Sequence, residues 1–168
     1  MRLFKVHRCL LLLAALLPAI SALASSASSN IDRSGFYAAY SAASLDGINN
    51  LITKLENGSS SSESKAFLGA LLMRKAGLIK GKREQLSLFK KGRLLLEKEI
   101  EEWPANAEYR FLRITIQEQA PKILGYNKNI EQDKKVLTRG FKELNSETRK
   151  AIATYAKKSP LLKDADLS

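Results

Sequence analysis

The chain has one cysteine, Cys9, and one histidine, His7, and both fall in its first 24 residues. Arg2, Lys5 and Arg8 precede an apolar run from Cys9 to Ile20 that ends in Ser21-Ala22-Leu23-Ala24. Positive flank, short apolar run and small-x-small end make residues 1–24 a secretory signal peptide by pattern. The run is too short for a bilayer core, which needs roughly 20 apolar residues. The mature protein is therefore expected to lack thiol and imidazole altogether and to carry no transmembrane span. That removes disulfides, Cys–His and Ser-His-Asp catalysis and metal sites with His or Cys ligands. Lack of cysteine also suits an oxidising compartment, so the expected location is exported, periplasmic or secreted. No Asp-x-Asp-x-Asp-Gly loop is present either. No metal and no cofactor is expected.

Charge of one sign is in short supply: 28 Lys and Arg stand against 17 Asp and Glu. Losing the three leader cations lowers the formal charge of +11 by three, which still leaves a basic protein. A basic balance suits anionic partners, yet pairs such as Lys98-Glu99 and Lys142-Glu143 alternate in sign and suit solvated helix faces. The mature chain of roughly 144 residues is long enough for one domain with a real core.

No alternating strand pattern occurs, and apolar residues recur at three- and four-residue steps. After a flexible leader over residues 25–34, Tyr37, Tyr40, Ser44, Ile48, Leu51 and Leu55 share one helix face, with Gly47 as a weak point. Ser60 and Glu63 have capping-box spacing before a helix with Phe67, Leu68, Leu71, Leu72 and Ala76 inward. Leu86, Phe89, Arg93, Leu96, Ile100 and Trp103 mark a third helix, with Leu88 and Leu95 on a second face, and Pro104 ends it. Asn106 caps a fourth, which runs to Ala120. Pro121 to Tyr126 reads as a turn with buried apolar residues. Asn129 and Gln132 are spaced to cap a fifth helix with Val136, Leu137, Phe141 and Leu144 inward, and Ser146 to cap a sixth with Ile152 and Tyr155. The expected fold is all-α: about six helices as three stacked antiparallel hairpins over residues 35–162, then a polar tail over 163–168. Hairpin starts fall roughly 45 residues apart, as in a diverged helical repeat or a plain bundle.

Leu68-Gly69, Gly92 and Pro104 resemble positions of a degenerate tetratricopeptide repeat, Gly92 standing where the second helix needs a small residue. A second resemblance runs over about residues 65 to 140. Lys90-Lys91-Gly92, Asn106 to Arg113, Gln117 to Pro121, Leu124-Gly125-Tyr126 and Asn129 to Lys134 look like a group of uncharacterised exported bacterial proteins. These resemblances imply a tetratricopeptide-like fold outside the cytoplasm and no catalytic residue.

Arg110, Arg113 and Gln117 stand at i, i+3 and i+7, on one helix face. Two guanidiniums so placed grip a carboxylate or phosphate, either from a ligand or from Glu97, Glu101 and Glu102 of the preceding helix; the internal pairing is favoured. Tyr126 is a further candidate contact, and Asp133 beside it is read as favouring a helix N-terminus. Glu97 and Glu101 as paired catalytic carboxylates have no cleft in sequence to serve, so no enzyme is expected. Lys80, Lys82, Arg83, Lys90, Lys91 and Arg93 form a basic cluster without the interleaved exposed aromatics of single-strand binding. It suits an anionic envelope polymer or lipid surface rather than nucleic acid. The expected function is non-enzymatic: recognition of a peptide or protein partner in a helical groove through Arg110, Arg113, Gln117 and Tyr126. Docking on envelope anions through the basic cluster is the alternative.

Overall fold

The computed structural model describes residues 31–167, so the signal-peptide reading, Cys9, His7 and most of the leader lie outside the described residues. Seven α-helices fill this span, with short 3-10 turns and no strand among the described residues: α1 (Arg33–Ala42), α2 (Leu45–Glu56), α3 (Ser62–Ala76), α4 (Lys82–Glu102), α5 (Ala107–Gln119), α6 (Ile130–Gly140) and α7 (Ser146–Ala156). The all-α reading holds; the count is one higher because the first expected helix is two.

The break has a local cause. Ala43 adopts a left-handed conformation, φ 53, and Ser44 turns from core residue to N-cap, accepting from the Gly47 amide at 3.3 Å. A side-chain cap of this kind satisfies a helix-end donor. Elsewhere the caps shift by a residue or vanish. Ser61, not Ser60, caps α3 through the Ser64 amide. Asn145, not Ser146, caps α7. Asn129 makes no side-chain cap to α6. Asn106 caps α5 as read, accepting from the Tyr109 amide at 3.1 Å, and α4 stops at Glu102, two residues before Pro104.

α3 and α4 form the tightest pair. A Cβ on Gly69 would stand 2.7 Å from the Gly92 carbonyl oxygen, and one on Gly92 would stand 2.5 Å from the Gly69 carbonyl oxygen. Only glycine at both positions lets the two backbones meet. The approach seats Phe67, Leu71, Leu72, Leu96 and Ile100 in one core. On the other side of α3, Phe36 of α1 lies 4.5 Å from the Phe67 ring.

α5 is the central post, buried at every position from Ala107 to Gln117. Its charged residues, like its apolar ones, therefore face protein. Two expectations about the ends are corrected. Ile123, read as buried in the turn after Pro121, is 94% exposed. The expected polar tail is partly structured: a 3-10 turn over Asp164–Leu167 follows a fully buried Leu162 and buries Leu167. The Asp166 carboxylate bonds the Lys163 amide at 2.7 Å and pairs with Lys134 at 3.4 Å.

Gly92→Ala is expected to destabilise the protein by about 1–3 kcal/mol, the usual cost of overpacking, despite alanine's better helix propensity of about 1 kcal/mol. Urea denaturation followed by circular dichroism checks it; unchanged or raised stability contradicts the close approach.

Candidate functional site

The arginines of α5 are interior groups. Arg110 and Arg113 are 4% and 3% exposed, and both meet Asp133 of α6, which is fully buried. Arg113 grips that carboxylate with a fork, Nε donating to Oδ2 at 2.7 Å and Nη2 to Oδ1 at 2.6 Å. Arg110 donates to Oδ1 through Nη1 at 3.0 Å and turns Nε and Nη2 onto the Pro104 carbonyl at 3.2 and 2.7 Å. The remaining Arg113 group, Nη1, reaches Glu97 of α4 at 2.6 Å. Glu97 also accepts from the hydroxyl of buried Tyr126. Burial works against the Arg113 charge, but Asp133 first and Glu97 second outweigh it and raise its pKa. A forked arginine–carboxylate bond of this kind is short and charge-assisted.

Three of the four expected ligand contacts thus stand in one closed network, with hydrogen-bonding groups already spent on protein acceptors. Gln117 is buried as well, and its Oε1 has no hydrogen-bond partner among the described residues. Glu97 takes part as the sequence suggested, whereas Glu101 and Glu102 face solvent, and Glu102 pairs with Lys98 at 3.8 Å. Asp133 was read as an end-of-helix charge. The signal for its true place was its register: it shares a face of α6 with Leu137, four residues on.

A second buried carboxylate, Glu108, escaped sequence reasoning. It accepts from Tyr37 at 2.9 Å, Thr148 at 2.7 Å and Arg33 at 3.0 Å, joining α1, α5 and α7. Arg33 also pairs with Glu63 of α3. Its donors come from residues 40 to 75 positions away, so no local pattern announces it.

The basic cluster is exposed at all six positions. Lys91 pairs with Glu56 at 3.4 Å, and the Arg93 guanidinium lies over the Tyr126 ring at 5.1 Å. Lys80, Lys82, Arg83 and Lys90 have no ion pair among the described residues. No group of three or more potential metal-ligating side chains occurs among the described residues, and none of the described helices is long and apolar enough to cross a membrane.

The open concavity lies beside this cluster. A groove of about 630 Å³ runs between the end of α3, the first half of α4 and the segment after α5. Met73, Leu78, Leu86, Phe89, Ile116 and Leu124 line it, and its only charged lining residues are Arg74 and Lys82. Leu86 is 42% exposed, and Ile123 stands at its edge.

Asp133→Ala removes the one carboxylate shared by two buried guanidiniums and is expected to cost roughly 3–5 kcal/mol. Chemical denaturation measures it; a loss under about 1 kcal/mol, typical of exposed pairs, contradicts the burial. A pH dependence follows from the tyrosines. Burial pushes Tyr40 up to about 12, and burial with the nearby Glu99 pushes Tyr109 up to about 12. Tyr37, Tyr126 and Tyr155 are raised too, burial leading in each. Above pH 10 the unfolded chain releases tyrosine protons that the fold retains, so stability falls as pH rises from about 10 through about 12. Tyrosinate absorbance is then expected to appear together with the loss of helix; a smooth titration centred near pH 10 in folded protein contradicts this. No protein-family model, curated protein or solved structure matches the chain.

Proposed function

We propose that this chain is an exported, non-enzymatic binding or scaffolding protein that holds a segment of a partner protein in a helical groove, on tetratricopeptide-like stacking of its hairpins. Export is supported by the pattern of residues 1–24, and hairpin stacking by the Gly69–Gly92 approach. The observation that carries the binding reading is the α3–α4 groove: an apolar trough with Leu86 and Ile123 left in solvent and cations but no acid in its lining. An exposed apolar patch with a polar rim is the common form of a protein contact, and an amphipathic helix laid in a groove is a standard way to fill one. The lining suits an amphipathic segment with apolar anchors and an acidic side chain for Lys82. With Arg110, Arg113 and Tyr126 engaged internally, the polar contact of the groove passes to Lys82, the cation that lines the groove alone.

A second reading, docking on an anionic envelope surface, is favoured by the exposure of Lys80, Lys82, Arg83 and Lys90 without ion-pair partners among the described residues. Salt separates the two, because exposed charges are screened and a packed apolar floor is not.

Selection of a displayed random-peptide library on the purified protein is expected to enrich peptides with apolar residues at three- and four-residue spacing and at least one acid. Their affinity should fall about tenfold or more for a Leu86→Ser/Ile123→Ser variant with unchanged circular dichroism, and should persist in roughly 1 M salt, where the Debye length is about 3 Å. No enrichment, or equal affinity for the variant, overturns the groove. Binding lost in salt transfers the case to the cationic face.

A further inference from the structure

A second cavity, of about 440 Å³, opens between α1, α5 and α7 and is closed at one side by the end of α3. Its size falls within the roughly 300–1,000 Å³ of small-molecule sites. The floor is aromatic, made by Tyr37, Tyr40, Phe111 and Tyr155. The Tyr37 and Tyr40 hydroxyls are spent inward, on Glu108 and Thr115, and Phe111 meets Tyr155 edge to face at 5.4 Å.

Arg74 lines the cavity, with Lys150 and Lys158 as the other cations of its lining. The Arg74 guanidinium carbon lies 5.6 Å from the Tyr40 ring centroid, and Tyr40 lines this cavity and not the α3–α4 groove. Among the described residues Arg74 has no ion pair, and its buried Nε has no acceptor. Placement in the last turn of α3 suits a cation electrostatically, but it leaves the Nε–H unanswered, and a buried donor without an acceptor is costly. Two acids also line the cavity. Glu118 accepts from the Ser159 hydroxyl, and Glu147 lines the cavity together with Lys150 and Lys158. Neither pairs with Arg74.

We propose that this cavity binds a small organic carboxylate with an aromatic or branched apolar body, the carboxylate on the Arg74 guanidinium and the body on the ring floor. An arginine fork fits a carboxylate with two parallel hydrogen bonds, and the rings supply apolar contact area. The inference stands apart from the peptide groove: Arg74 and Gln119 border both, whereas Leu86 and Ile123 line only the groove, and Thr115, Ala151 and Thr154 only this cavity.

The test titrates the purified protein with 3-phenylpropanoate and, in parallel, with the uncharged 3-phenylpropanol, following amide shifts by NMR. Saturable binding of the acid with shifts at Thr115, Ala151 and Tyr155 is expected, the alcohol binding about tenfold or more weakly because it lacks the charge-assisted bonds. Arg74→Gln should erase that preference. Thr154→Trp, at an exposed position of the rim, should exclude both probes while Arg74 remains. Equal binding of acid and alcohol, no saturable binding, a preference that survives in Arg74→Gln, undiminished binding to Thr154→Trp, or shifts centred on Leu86 and Ile123 would each overturn the proposal.

Discussion

A carboxylate with no exposure, Asp133, stands between two guanidiniums of the central helix. Taking three charges out of water is expensive, and the arrangement persists because the forked bond to Arg113, the Arg110 contact and the Pro104 carbonyl give five of the six guanidinium nitrogens an acceptor. This pairing fixes α6 against α5 in one register. Through Glu97 it also ties α5 to α4, and through Tyr126 to the segment after α5. Glu108 repeats the device at the start of α5, toward α1 and α7. The post of the fold is thus held by ion clusters as well as by apolar packing.

That arrangement decides where binding can occur. Polar groups spent in closed clusters are not available to a partner. What stays open is the largely apolar groove beside α4, the ring-floored cavity between α1, α5 and α7 with charged residues in its lining, and the exposed basic cluster. α3 and α4 approach closely at Gly69 and Gly92, and the end of α3, the start of α4 and the Pro121–Leu124 segment border the groove.

Much of the fold was legible because its causes are local. Asn106 and Pro104 bound their helices as residue chemistry requires, and the apolar steps of α3 marked its buried face; on α4 the expected face is only half right, with Phe89, Leu96 and Ile100 buried but Leu86, Arg93 and Trp103 exposed. Gly92 was legible as a close-approach position. The split between α1 and α2 was not, because Ser44 fits the apolar period and serves as a cap instead. Ile123 misled for a related reason: apolar character in a short turn does not say which way the turn faces. The site was harder still. Arg110, Arg113 and Gln117 do share a face, but α5 is buried all round, so a face with charges was not a face toward solvent. The main partner of the two arginines, Asp133, lies 20 to 23 residues on. Only its register with Leu137 hinted at burial.

The closed network requires the α5 arginines to belong to the interior. Nitrogen-15 NMR of the arginine Nε–H groups at neutral pH reports this directly, because exchange with water requires access to it. Arg110 and Arg113 are predicted to give resolved, slowly exchanging Nε–H signals, shifted from those of exposed Arg83 and Arg93. Rapid exchange of both, with signals averaged among those of the surface arginines, would contradict the closed network and return Arg110 and Arg113 to the set of groups free to hold a ligand.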